Sequence, residues 1–291
     1  LLGGLDPAQF QVDVEVLRPR QDYPFPWSFY RFLDAFPESV LGLGPELEPP
    51  SFDPEAAYDL VILAYTVWYL APSLPVQAFL SSEHARVLRG RPVVTLCACR
   101  NMWHTASERM KRELEELGAH LMDNVVVSDN GPAWATFVST PRWMFTGKSD
   151  RFLGVFPPAG VGREVIEGLE RFGRALSDQR ERIGERPVKP LLAGLGAVQV
   201  EPRFVVPELI GRFSFPPWAR FVRLFGPPGS SLRTLPLTLF AVYLVLAILV
   251  LIPASILLRI LLHPFVSGPL RIYVERLRSP SGGEAHEPEL P

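Results

Sequence analysis

Two short stretches carry the residue types best suited to chemistry. One reads Thr66-Val67-Trp68-Tyr69-Leu70-Ala71-Pro72-Ser73-Leu74-Pro75, the other Arg100-Asn101-Met102-Trp103-His104. Each follows an apolar run of strand length. A Trp-Tyr pair at a strand end offers a flat apolar face beside free backbone amides, which suits a planar heteroaromatic ring. In the second stretch, Arg100 suits a phosphate or a carbonyl and Asn101 a ring oxygen. A helix that starts there adds free amides for a polar or anionic oxygen. His104 leaves two readings open, a proton donor or a solvated histidine at a helix start. Adjacent parallel strands bring such loops into one crevice, where ligands of α/β sheets bind. The candidate cofactor-binding set is therefore Thr66, Val67, Trp68, Tyr69, Arg100, Asn101, Met102 and Trp103. No residue stands out as catalytic.

Other chemistries find little support. There is no CxxC pair, no HExxH and no histidine cluster, so no metal site is expected. Cys97 and Cys99 fall on one strand, two residues apart, and so face the same way. Neighbouring strand positions make poor disulfide geometry, so both are read as reduced and buried, in a cytoplasmic domain. A net charge of −2 gives no global electrostatic case for nucleic acid.

The elements that must position these loops alternate between strand and helix. Phe10–Leu17 alternates apolar and polar residues and predicts a half-exposed strand. The proline- and aromatic-rich stretch 19–54 predicts loop, with a short helix around 27–36. Tyr58–Tyr65 (YDLVILAY) predicts a buried parallel strand. A helix is then expected from Pro75 towards Leu88, with proline in its first turn. Val93–Cys99 predicts a second buried strand. Trp103–Leu117 predicts an amphipathic helix, with Met110, Leu114 and Leu117 on one stripe and Gly118 ending it. A third strand is expected from near His120 to Val127. Residues 130–160 read as irregular, Arg163–Ile183 as another amphipathic helix, and 184–233 as a Pro/Gly-rich connector. The stretch from Ser279, SPSGGEAHEPELP, has the composition of a disordered tail. Apolar strands alternating with helices predict a doubly wound parallel sheet covered on both faces.

Mean hydropathy is +0.14 although charged residues make up 21% of the chain. The excess comes from Thr234–Leu258, 25 residues without a charge, long enough to cross the hydrocarbon core of a bilayer. Pro253 is expected to kink its far end, which leaves a crossing helix and a re-entrant hairpin both open. Arg212, Arg220, Arg223 and Arg233 precede it, interleaved with Phe213, Phe215, Trp218, Phe221 and Phe225, a pattern of interfacial anchors. Beyond residue 200, nine arginines, no lysine and six acids give +3, so residues 1–200 stand at −5. Arginines flank the run on both sides, so the positive-inside count does not orient it. The chain divides into an α/β domain at 1–183, a connector at 184–233, a transmembrane or re-entrant segment at 234–262, and a basic juxtamembrane region with a tail at 263–291.

The stretch from Tyr58 to Leu80, YDLVILAYTVWYLAPSLPVQAFL, resembles the third strand and flavin loop of flavodoxin-like NAD(P)H-dependent oxidoreductases. The resemblance continues through RPVVTLCACRNMW and ELGAHLMDNVVVSD. WYLAPSLP, CRNMW, the segment Ser139–Lys148 and Leu277–Gly282 also resemble membrane-attached proteins known as dialkylresorcinol condensing enzymes. This likeness covers most of residues 10–282. It implies a flavodoxin-like fold, FMN as cofactor, and a lipophilic aromatic or quinone-like substrate or a membrane redox partner. Flavin-dependent aromatisation of a cyclic diketone is one reaction it suggests. Condensation of thioesters would need a cysteine nucleophile with histidine partners, and Cys97 and Cys99 carry no such local pattern. Flavodoxin-like chains begin with a strand and a Ser/Thr/Gly-rich phosphate loop. Neither precedes Phe10–Leu17 here, so the resemblance implies that both lie upstream of Leu1. Two further expectations stay open: a membrane-bound scaffold without cofactor, and association with a second copy.

Overall fold

The computed structural model describes residues 1–129, 131–185, 190–251, 254 and 263–282. Its centre is a four-stranded mixed sheet of β1 (Val61–Trp68), β2 (Ala71–Pro72), β3 (Pro92–Cys99) and β4 (His120–Ser128), in the order β2-β1-β3-β4. β1, β3 and β4 are parallel, in the register Thr66↔Ala98 and Cys97↔Val126. β2 is a two-residue antiparallel return beside Val67 and Trp68. The runs of Val, Ile and Leu form strands because both faces of each are covered, and β-branched side chains pack well on a pleated surface.

One face is covered by α3 (Leu74–Leu80) and α4 (His104–Glu116), and its core holds Leu63, Tyr65, Phe79, Cys97, Met110 and Leu114. The other face meets α7 (Glu170–Asp178), through Phe172 and Leu176 against Val94 and Val125. A third cluster lies apart from the sheet. There α1 (Phe29–Asp34) and α2 (Phe36–Leu41) pack with α8 (Pro202–Arg223) and α9 (Thr234–Leu246), around Leu33, Phe36, Val222, Leu237 and Phe240.

Several expectations change. Phe10–Leu17 forms no strand among the described residues, and Val12, Val14 and Val16 are exposed. Alternation marks a strand only where a ladder partner exists. Here backbone pairing starts two residues later, where Arg20 and Glu48 donate to Glu46 and Arg18. β1 runs three residues further than Tyr65, so Thr66, Val67 and Trp68 are strand and not loop. The expected helix from Pro75 towards Leu88 is two pieces, α3 and a 3-10 segment at Glu83–Leu88. Residues 130–160 contain a 14-residue helix, α5 (Ala133–Thr146), despite Pro141. The helix expected over Arg163–Ile183 is broken into α6 (Arg163–Gly168), α7 and a 3-10 turn; Gly168 is the weak helix former at the break.

The expected connector holds the longest helix described, α8, with Pro207, Pro216 and Pro217 inside it. An interior proline costs a helix about 3 kcal/mol. What sustains α8 is packing, since Val205, Glu208, Gly211, Ala219 and Val222 are buried along it. The segment from Ser279 is ordered as far as Gly282, and Ser281 is buried. Its hydroxyl donates to Asp123 Oδ1 at 2.6 Å and accepts from Asn124 N–H at 2.9 Å. Asp123 also accepts the amides of Leu191 and Leu192, at 3.0 and 2.9 Å. Burial pushes its carboxyl above the usual aspartate range. Pro253, the rest of 252–262 apart from Ala254, and the tail 283–291 lie outside the described residues.

Apolar length is visible in the helix that begins at Thr234. The stretch Ser231–Val250 is long and apolar enough to cross a membrane. It is not lipid-like all round. Leu237 and Phe240 are core residues, whereas Leu235, Leu239, Val242 and Leu246 are exposed. A docked tail makes Ser281→Ala destabilising by about 1–3 kcal/mol, because it strips partners from Asp123 and the Asn124 amide. Urea denaturation of the full chain measures this, and a disordered tail would give no shift in midpoint.

Candidate functional site

The carboxyl ends of β1 and β3 lie side by side, so the two loops do share one edge of the sheet. Their side chains are mostly engaged by the protein itself. Trp68 meets Tyr23 and Trp27 edge-on, with ring centroids 5.0 and 5.6 Å away. Tyr69 and Leu70 form the two-residue turn between β1 and β2, with φ of 50° and 63°. Mirror-image hairpin turns of this kind favour Asn and Gly; bulky residues there store strain of about 1–3 kcal/mol each. Packing holds them. Tyr69 Oη donates to Phe32 O at 2.8 Å, and its ring lies against Phe32 and Phe36. Leu70 presses on Gly211 of α8, where a Cβ would come within 2.5 Å of Leu70 Cδ1. Tyr69 therefore points into the helical cluster and not into the crevice.

The β3 loop behaves similarly. Arg100 Nε donates to Thr136 Oγ1 at 2.8 Å, and its guanidinium sits 4.1 Å from the Phe137 ring centroid. Burial pulls Arg100 down to about 10, and only Asp129 opposes that shift. Trp103 is buried against His104, with centroids 4.5 Å apart. Met102 is half-buried. Asn101 Nδ2 is buried without a hydrogen-bond partner. Thr66, one of the expected contacts, is exposed, while Val67 packs against the core.

Trp68, Tyr69 and Arg100 are not free to receive a ring or a phosphate in the way the sequence leads one to expect. The two aromatic faces meant for the ring are spent on Tyr23, Trp27, Phe32 and Phe36. Arg100, the expected phosphate or carbonyl partner, is tied to α5. Of the eight residues, Asn101 has a buried amide nitrogen without a partner, and Thr66 is exposed.

His104 is neither solvated nor at a solvent-facing helix start. It is 2% exposed, and its Nδ1 lies 2.8 Å from Glu208 Oε2 of α8. Glu208 Oε1 accepts the Thr105 amide at 2.5 Å. Glu208 is the one acid between Glu201 and Glu275, and its isolation in an apolar helix was the available signal. The Cys99 thiol is pushed far up by its hydrogen bond to Cys97, by burial and by the Glu208 charge. A thiol held protonated is no nucleophile. The buried His104–Glu208 pair thus joins α4 to α8 and leaves a condensing cysteine unsupported.

A cavity of about 400 Å³ lies on the far side of Tyr23 and Trp27 from Trp68. Arg20, Tyr23, Trp27, Arg31, Asp34 and Glu38 line it. Tyr23 is pushed up to about 12, mostly by burial, so its phenol stays a neutral donor at physiological pH. Behind Asp34 and Glu38 stands Arg233, fully buried at the start of α9. It pairs with Asp34 Oδ1 at 3.1 Å and Glu38 Oε2 at 2.9 Å, while Asp34 Oδ2 accepts the Gly229 amide at 2.6 Å. The loop before α9 also reaches the cavity, through Pro228. The stretch YPFPWSFYR, expected as loop leading into a short helix around 27–36, was not expected to line a cavity. The signal was its density of rings and arginines between prolines.

Arg233→Met leaves two carboxylates buried without their cation. The expected loss is about 3–5 kcal/mol of stability, read from denaturant midpoints. Arg233→Met combined with Glu38→Gln recovers part of it if charge imbalance is the cause. Set against known proteins, the chain matches no family model, no curated protein and no solved structure.

Proposed function

We propose that this chain is a membrane-attached α/β protein that binds a lipophilic aromatic or quinone-like small molecule. The observation that carries this reading is the cavity of Arg20, Tyr23, Trp27 and Arg31 beside the start of an exposed apolar helix. The Tyr23 and Trp27 rings, tilted 31° to one another, offer apolar surface to a planar ligand, and arginine or a neutral phenol donates to its oxygens. An alkyl tail on such a ligand would follow the exposed face of α9, past Leu235 and Leu239. Free thiols at Cys97 and Cys99 suit a domain in a reducing compartment, such as the cytoplasmic side of a membrane.

A long-chain quinone added to the detergent-solubilised full chain is expected to quench tryptophan fluorescence saturably. Trp27→Ala and Arg31→Ala should each weaken that binding about tenfold, a loss of about 1.4 kcal/mol. Unchanged affinity in both variants counts against the cavity as the binding place.

A second reading is a flavodoxin-like, FMN-dependent oxidoreductase that draws on NAD(P)H. Two observations favour it: the parallel ends of β1 and β3 meet at one edge, and Asn101 offers a buried amide without a partner. Trp68, Tyr69 and Trp103 would have to leave their present contacts, or serve only as a wall behind the ring. FMN would supply the redox chemistry, and Asn101 would orient its polar edge. The absorption spectrum of the full chain titrated with FMN decides this. A bound flavin band perturbed in Asn101→Ala supports it. A spectrum that is the sum of free FMN and colourless protein favours the cofactor-free alternative, a membrane-bound binding scaffold.

A further inference from the structure

Both flanks of the apolar segment return to the same domain. Upstream, Val205 of α8 lies in the core cluster that contains Trp103 and Leu114. Phe240 of α9 stacks on Phe36 at 3.6 Å, and Tyr243 meets Trp218 at 5.3 Å. Downstream, α10 (His263–Arg278) places Val274 and Leu277 in that same cluster with Val205. Arg276 pairs with Glu108 of α4 at 3.5 Å, and Ser281 is held by Asp123 and Asn124. A single crossing would put these two flanks on opposite faces of about 30 Å of hydrocarbon. One folded domain cannot hold both. Roughly thirty residues separate Phe240 from Val274. Two full crossings need about forty.

We infer that the two flanks of the apolar segment, up to Phe240 and from Val274 onward, lie on the same side of a lipid bilayer, because both pack on one domain. This rests on the membrane reading above and specifies its geometry. The lipid-facing surface is the exposed side of α9, with Leu235, Leu239, Val242, Leu246 and Leu249. At its rim, Phe29 and Tyr30 are about half-exposed, and Tyr30 Oη lies 3.2 Å from Thr238 Oγ1. Arg220 and Arg223 stand exposed on α8 at the level of anionic headgroups. The α/β domain then lies against the bilayer, with the loop before α9 and its cavity near the headgroups.

The test uses the full chain in sealed membrane vesicles, with Arg203→Cys and Glu275→Cys made one at a time. Both positions are solvent-exposed and flank the segment. An impermeant maleimide is added before and after permeabilisation, and the native chain, with Cys97 buried and Cys99 half-buried, sets the background. Carbonate-resistant chain with both new thiols labelled from the same side is the expected result. Carbonate-resistant chain with the thiols on opposite sides overturns the placement of both flanks on one side and leaves membrane attachment standing. Chain extracted by carbonate overturns membrane attachment, and the inference with it.

Discussion

A guanidinium with no access to water must be neutralised where it stands. Arg233 is such a group, and it stands at the first turn of the most apolar helix in the chain. Its two carboxylates come from α1 and α2, nearly two hundred residues earlier. The ion pairs therefore fix where α9 leaves the domain and at what angle to α1. They also form the back wall of the cavity, because Asp34 and Glu38 face it from the other side. Desolvating such a cluster is costly, and a hydrophobic replacement of similar volume would stabilise the fold at least as well. What the charges supply is a register that apolar contacts alone leave slack.

A second buried pair works alike on the other side of α8. His104 and Glu208 join the start of α4 to the middle of α8, so a helix with three interior prolines is pinned to the sheet layer. The turn at Tyr69 and Leu70 is the third link. Its strained residues wedge between α1, α2 and α8, which couples the end of β1 to the helical cluster. Sheet, helical cluster and apolar helix are thus linked by direct contacts. A ligand against Tyr23 and Trp27 would touch the helical cluster at Arg31, Asp34 and Glu38 and the loop before α9 at Pro228.

Much of the sheet was legible. VVTLCAC and HLMDNVVVS became strands within a residue of their expected bounds, because continuous β-branched runs are stable only between two covered layers. α4 was equally plain from its Met110–Leu114–Leu117 stripe. Where prolines dominate, legibility failed: α5 and α8 both carry interior prolines and exist through packing that local propensity does not report. The candidate crevice was half legible. Adjacency of the two loops followed from parallel order, but the use of Trp68, Tyr69 and Arg100 depended on distant neighbours.

By itself, the amino-acid sequence determined the α/β alternation, the parallel strands and the uncharged length beginning at Thr234. Each follows from local periodicity and hydropathy, which act over a few residues. Only the tertiary structure decided that His104 is buried, that Tyr69 faces helices, that Arg233 pairs with Asp34 and Glu38 and that Ser281 returns to Asp123. Those outcomes hang on contacts across about 30 to 200 residues of chain, and no window along the sequence contains both partners.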